Sequence, residues 1–221
     1  MTVLQLADDG EAADLAAFLS RLLHYDRAAA VRLQAAGTAL AVFGRPPSFE
    51  VLAIRAVRLA KPYENGLDVT LDVTVSAGEL LDGIEESAAT AVVPAAVTGP
   101  PWAGVLPPRG GWAAVAGLPA ADSLRSMVAS VVAEFRSRTE ELAPDLRTRA
   151  ELDRIGRDIW SRTVADTGLP VRAVHAAQAL GFLRGGDPVL LSSGTWLRLR
   201  TPFGSIAVRR AGVGALGITV R

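Results

Sequence analysis

The chain has no cysteine in its 221 residues. Disulfides, thiolate metal ligands and cysteine nucleophiles are thereby excluded. Histidine is almost as scarce, and His24 and His175 stand far apart with no clustered partners. A histidine-based metal centre has no ligand set, so a packing role for each ring is the better reading. Net charge is lacking too, because 23 basic and 23 acidic residues cancel. No overall field draws the chain to polyanions or to an anionic membrane, which disfavours nucleic acid and membrane as partners. Apolar runs of about 20 residues, the length of a membrane span, are absent; the nearest, 88–97, is interrupted by Pro94. Met1–Asp9 has neither the basic start nor the apolar core of a signal peptide, so a cytoplasmic location is expected.

Catalytic motifs are missing as well. No H-E-x-x-H pair, nucleophile elbow or phosphate-binding Walker loop occurs. Gly212-Val213-Gly214-Ala215-Leu216-Gly217 spells G-x-G-x-x-G, but only Ile218–Arg221 follow it. The helix and later acid of a dinucleotide site do not fit there, and a glycine-rich turn before a last strand is the better account. Asp68 and Asp72 share a strand face four residues apart, about 13 Å by strand rise, too far for a direct carboxylate pair. They read as solvated decoration. No cofactor or metal is expected, catalytic residues stay unknown with a scattered carboxylate open, and the reading leans away from an enzyme.

What the chain does have is apolar content and internal likeness. Half of its residues are apolar, enough for a stable core that buries roughly 70–75% of the unfolded surface. A constant offset of 157 aligns Leu23 with Leu180, Arg27 with Arg184, Leu33 with Leu190, and Gly37-Thr38 with Gly194-Thr195. Leu40/Leu197, Ser48/Ser205 and Val51/Val208 fall in the same register without a gap. Two copies of a helix–strand–strand–strand unit follow from that. Superposing 11–59 on 168–216 is the decisive comparison.

Periodicity places the elements. Leu15, Phe18, Leu19, Leu22 and Leu23 line one face of a helix over 11–25, and strands follow near 29–35, 38–43 and 49–59. The third carries apolar side chains on both faces, as a strand covered on both sides does. Asn65-Gly66 marks a turn, and 67–75 alternates as a half-exposed strand. Ser76 then caps a short helix with Glu79 three residues on, and Thr148 with Glu151 repeats that spacing before 149–166. Helices are also expected over 120–142 and 170–183, and three strands over 188–220. Residues 94–119, rich in proline and glycine, fit no regular element and read as a loop or linker.

The fold class expected is α+β: two related αβββ units with mainly antiparallel sheets, separated by a Pro/Trp-rich loop and a helical block. The lobes are 1–93 and 120–221, with 94–119 between them. Their sheets either merge or face each other about a pseudo-twofold axis, or bury apolar faces against a second chain. Three stretches, GRPPSFEVLA (44–53), TGPPWAGVLPPRGGW (98–112) and TRAELDRIGRDIWSRT (148–163), resemble a family of uncharacterised actinobacterial proteins of unknown function. That resemblance implies no activity and carries over no site residue.

Two features suit contact. From Arg184 to Arg221 there are six arginines against the single acid Asp187. Strand alternation puts Arg198 and Arg200 on one face, and a returning strand sets Arg209 beside them, where they can take phosphate or carboxylate bidentately. The competing account has these arginines neutralised by Asp8, Asp9, Glu11, Asp14 and Asp26, within a chain or across a dimer. In the loop, Trp102, Arg109 and Trp112 sit among prolines that pre-set extended backbone, suited to a peptide or flat ligand; the competing account packs both rings to pin the loop. The function expected is a non-catalytic binding or assembly protein, a homodimer or other homo-oligomer, with a protein partner or a small anion as further ligand. The alternative is an enzyme or binder acting on a small phosphate- or carboxylate-bearing ligand, oriented by Arg198, Arg200 and Arg209, with His175 or an unidentified carboxylate as base.

Overall fold

In the computed structural model, which describes residues 2–60 and 71–210, the two units share one sheet. Strand β1 (Thr2–Gln5) leads to helix α1 (Asp9–Tyr25), whose N-cap Asp8 accepts a hydrogen bond from the Glu11 amide. Strands β2 (Ala30–Ala36), β3 (Ala39–Gly44), β4 (Leu52–Arg58) and β5 (Leu71–Ser76) follow. Ser76 caps helix α2 (Ala77–Asp82) through the Glu79 amide, as its spacing predicts. Short strands β6 (Ile84–Glu85) and β7 (Thr90–Val93) join β1 in a small sheet of order β1-β7-β6. After β8 (Ala113–Val115) come helices α3 (Ala121–Glu140), α4 (Arg149–Trp160) and α5 (Val171–Ala179), then strands β9 (Val189–Ser193), β10 (Trp196–Thr201) and β11 (Gly204–Arg209).

The large sheet runs β5-β2-β3-β4-β11-β10-β9-β8, so the units merge edge to edge at β4 and β11. All of its pairings are antiparallel. The pairing joins Ile54 with Ser205, Ala53 with Ile206 and Leu52 with Ala207. Strand β3 and strand β10 do match at an offset of 157. The third strands do not. Arg58 lies opposite Ala39 as Arg209 lies opposite Trp196, which sets their offset at 151. The cause is the connection: β10 turns into β11 over Pro202-Phe203 alone, whereas 45–51, with a tight turn at Pro47–Phe49, joins β3 to β4. The gapless register therefore fails here, and Ser205 corresponds to Ile54, not to Ser48. Because Ile54 and Ser205 are equivalent and paired, the pseudo-twofold axis passes between them.

One sheet face is covered by the helices. Val31, Leu33, Leu40, Val42, Leu197, Leu199, Ile206 and Val208 are all buried there with Leu15, Leu19 and Leu22 of α1 and Val174 of α5. Each such side chain contributes about 1.5–3 kcal/mol by leaving water. Phe18 stacks on Phe182 with centroids 5.7 Å apart, tying α1 to the chain after α5. Gly204 is required by that contact, because a Cβ there would lie 2.5 Å from the Phe182 ring. Helices α3 and α4 close over α5, with Leu124, Val128, Ile155 and Ile159 buried. Arg162 hydrogen-bonded to Glu134, and Arg138 hydrogen-bonded to Asp158, hold both carboxyls below their ordinary range.

One further expectation is corrected. Residues 94–119 contain a helical turn at Pro101–Gly104 and the strand β8, which extends the sheet beside β9. Three-residue strands are too short to show a period, so composition hid it. The small sheet of β1, β6 and β7 was also not legible, for the same reason. The G-x-G-x-x-G run 212–217, Arg221, the Asn65-Gly66 turn, Asp68 and the start of the expected strand 67–75 lie outside the described residues.

A charged group sits inside the helix-covered face. Arg55 of β4 is 5% exposed. Its guanidinium donates to Glu11 at 3.0 Å and Asp14 at 3.2 Å on α1, and to the Phe203 carbonyl at 2.8 Å in the second unit. Removing one partner of a buried pair leaves the others uncompensated. Arg55→Ala should lower the unfolding free energy by about 3 kcal/mol, read by urea denaturation; a loss below about 1 kcal/mol, the scale of a surface pair, would show that the bridge does not hold the units together.

Candidate functional site

The second face of the sheet carries Arg32, Phe43, Leu52, Ile54, Trp196, Arg198, Arg200, Ala207 and Arg209 by alternation. Residues 94–112 cross it as a strap. The Val97 amide donates to Thr74 on β5, the Arg32 guanidinium donates to the Ala103 carbonyl, and the Ser193 hydroxyl donates to the Gly110 carbonyl beside β9. Midway, Trp102 and Leu106 pack against the cluster of Phe43, Leu52, Ile54 and Ala207, as Trp196 does from β10. Trp102 thus lies over the seam of the two units. Trp112 is half-buried, with its indole nitrogen donating to the Pro108 carbonyl at 3.0 Å.

Arg198 and Arg200 do share this face, with Leu197 and Leu199 in the core behind them. Arg209 joins them from β11, opposite Trp196 and diagonal to Arg198. The Arg198 guanidinium carbon is 5.8 Å from the centroid of Trp112, and its Nε is buried without a hydrogen-bond partner. Burial pushes this guanidinium below its ordinary value, and the charge of Arg200 pushes it the same way. Arg200 and Arg209 are exposed. Among the described residues, none of the three makes an ion pair.

The first unit differs. Arg32 forms a bidentate pair with Asp72 at 2.8 and 2.9 Å, and Gln34 donates to the same carboxylate. The Arg32 hydrogen bonds hold the Asp72 carboxyl below its ordinary value, with a smaller contribution from the charge of Arg109. Asp72 is therefore an ion-pair partner and not solvated decoration, and exposed Arg109 acts toward it. Arg58, the counterpart of Arg209, pairs with Glu11 at 2.8 Å and Asp8 at 3.1 Å. The acidic start of the chain is thus satisfied by Arg55 and Arg58, with Arg184 contributing one pair to Asp14. Of the five C-terminal arginines among the described residues, only Arg184 is neutralised in the expected way.

Two further features were not anticipated. A half-open cleft of about 430 Å³ lies where the strap leaves β5, lined in part by Asp26, Arg45, Ser76, Thr98 and Trp102. Asp26 is already occupied in accepting the Ala28 amide. Neither nucleophile nor acid–base pair converges there. The second feature is a chain of rings: His24 meets Tyr25, Tyr25 meets Phe49, Phe49 meets His175, and His175 stacks on Trp160 at 4.7 Å. His175 is a half-buried packing ring, with Phe49 brought in by the proline turn after β3, whereas His24 is exposed and meets only the edge of Tyr25. Among the described residues, no group of three or more His, Asp or Glu side chains could hold a metal. None of the helices there is long and apolar enough to cross a membrane.

Residues 1–104 match the model of one domain of unknown function (DUF8010), and residues 107–213 match that of another (DUF8185). The two matches lie one after the other along the chain. No curated protein matches it. Among solved structures, the DNA polymerase sliding clamp from Pseudomonas aeruginosa is similar at 14% identity and a TM-score of 0.49. That likeness covers 95% of this chain and 64% of the clamp. A ligand-bound structure of the same clamp gives 13% and 0.43, covering 94% and 63%. The chain thus spans under two thirds of those proteins. The border between DUF8010 and DUF8185 falls within the strap, beside Leu106. The paired arginines Arg32 and Arg58 belong to the former domain, and the unpaired row to the latter.

Burial alone pushes the His175 imidazole below its ordinary value of 6.5. The folded state thus favours the neutral ring, so stability from this group is full above about pH 6.5 and is lost as pH falls below it. The difference in unfolding free energy between wild type and His175→Phe should shift toward the variant between pH 7.5 and pH 5. Trp160 emission on chemical denaturation reports it, and a pH-independent difference would refute the assignment.

Proposed function

We propose that this chain is a non-catalytic binding or assembly protein, homo-oligomeric, whose contact surface is the arginine-bearing outer face of the second domain. One observation carries the reading: equivalent faces of the two units are completed differently. In the first, Asp72 neutralises Arg32, while Asp8 and Glu11 neutralise Arg58. In the second, Arg198, Arg200 and Arg209 have no counter-ion among the described residues. Arg198 is partly desolvated beside Trp112 and gains most from an incoming anion. A second reading, a small phosphate- or carboxylate-bearing ligand, draws on the same Arg198 geometry. The surface is an open sheet face, whereas small-molecule sites are concave, which favours assembly.

Arg198→Ala combined with Arg200→Ala separates the two. Light scattering should show the oligomeric mass of the wild type falling toward that of the monomer. An unchanged mass, with loss of the thermal shift given by phosphate or dicarboxylates, would move the assignment to the small anion. A double variant unchanged in both would remove the face from the function altogether.

A further inference from the structure

The charges that complete the arginine row are present in the sequence, but in the other domain. Residues 62–108 contain seven acids and no lysine or arginine, while 188–221 contain five arginines and no acid. Within the first stretch, Glu79 and Asp82 of α2, Glu85 of β6 and Glu86 after it are all exposed. Among the described residues, none of these four makes an ion pair. Leu81 and Ile84 between them pack against the core, so this strip presents charge, while on the other strip Val189, 39% exposed, lies directly opposite Arg200. The two strips are thus opposite in charge, the complementarity that sets partner and register at an interface.

The strips do not neutralise each other within one chain. Helix α2 continues from β5, which the order of the sheet separates from β11 by β2, β3 and β4. That is roughly 20 Å along the sheet at about 4.8 Å per strand, beyond the screening length of about 8–10 Å in physiological salt. Between two chains no such barrier exists. We propose that the arginine row of one copy receives the α2–β6 acidic strip of a second copy. The spacings agree: Arg198 and Arg200 stand about 6.7 Å apart on their strand, and Glu79 and Asp82 are neighbours three apart on a helix, about 5–6 Å between Cβ atoms. The chemistry has a precedent in the molecule, since Arg58 is completed by carboxylates at the start of α1. The two strips are different surfaces, so a twofold pair makes the contact twice and an open arrangement makes it once per junction. The inference rests on the assembly reading above and names its partner.

Charge reversal at exposed positions tests it without burdening the fold. Arg200→Glu with Arg209→Glu forms one variant, and Asp82→Arg with Glu86→Arg forms the other, each checked by circular dichroism and melting. Sedimentation velocity over a concentration series should show wild type associating at low salt and less so at high salt. Each variant alone should self-associate about 100-fold more weakly, since like charges are set against each other. An equimolar mixture should recover association, because each variant then meets its complement. Recovery is the outcome that no loss of folding or solubility can imitate. A mixture that stays monomeric, or an acidic-strip variant that associates like wild type, overturns the inference. If the arginine variant alone loses mass, the assembly reading stands and a different surface is the partner. A wild type that is monomeric throughout removes the second copy as occupant.

Discussion

The antiparallel pairing of β4 with β11 is the constraint from which the other arrangements follow. It sets Ile54 against Ser205 on the pseudo-twofold axis and so places α1 and α5 on the same side of one continuous sheet. With that side filled by helices, the opposite face is left for the strap to cover. It also explains why Arg55 can bridge two units. A guanidinium on β4 reaches α1 on one side and the Phe203 carbonyl of the β10–β11 turn on the other. Buried ion pairs contribute little to net stability against an apolar replacement, but they are sensitive to geometry. Arg55 therefore reads as a device that fixes how the halves meet.

The strap gives the outer face its character. Its central residues, Trp102 and Leu106, dry the seam above Phe43, Ile54 and Ala207. Toward β9, Trp112 lies beside the Arg198 guanidinium. A sheet that is sealed on one half and cationic on the other has a built-in polarity, although its total charge is zero.

Much of this was legible from periodicity. The α1, α3 and α5 stripes, the capping residues Ser76 and Thr148, and the strands from Ala30 to Arg58 follow from side-chain spacing, which local sequence encodes. The duplication was legible because β3 and β10 keep their lengths. Its third strand was misaligned because a sequence offset carries no record of hairpin length, and Pro202-Phe203 replaces a seven-residue connection. The side of the arginine row followed from alternation alone. Its lack of counter-ions did not, since the acids that satisfy Arg58 and Arg32 are chosen by tertiary proximity: Asp8, Glu11 and Asp72 are distant in sequence. The same reason hid the stacking of His175 on Trp160, where two helices and a proline turn must converge before any ring finds its neighbour.

The β4–β11 seam has a consequence for how the chain can be divided. The match to two domain models suggests a cut near residue 105, yet each piece would then end its sheet in an uncovered strand, β4 or β11, whose amides and carbonyls at the seam lose their partners. Leu52, Ile54 and Ala207, deprived of Trp102 or of one another, would lie along those raw margins. Fragments made there would offer those margins as templates to any neighbouring strand.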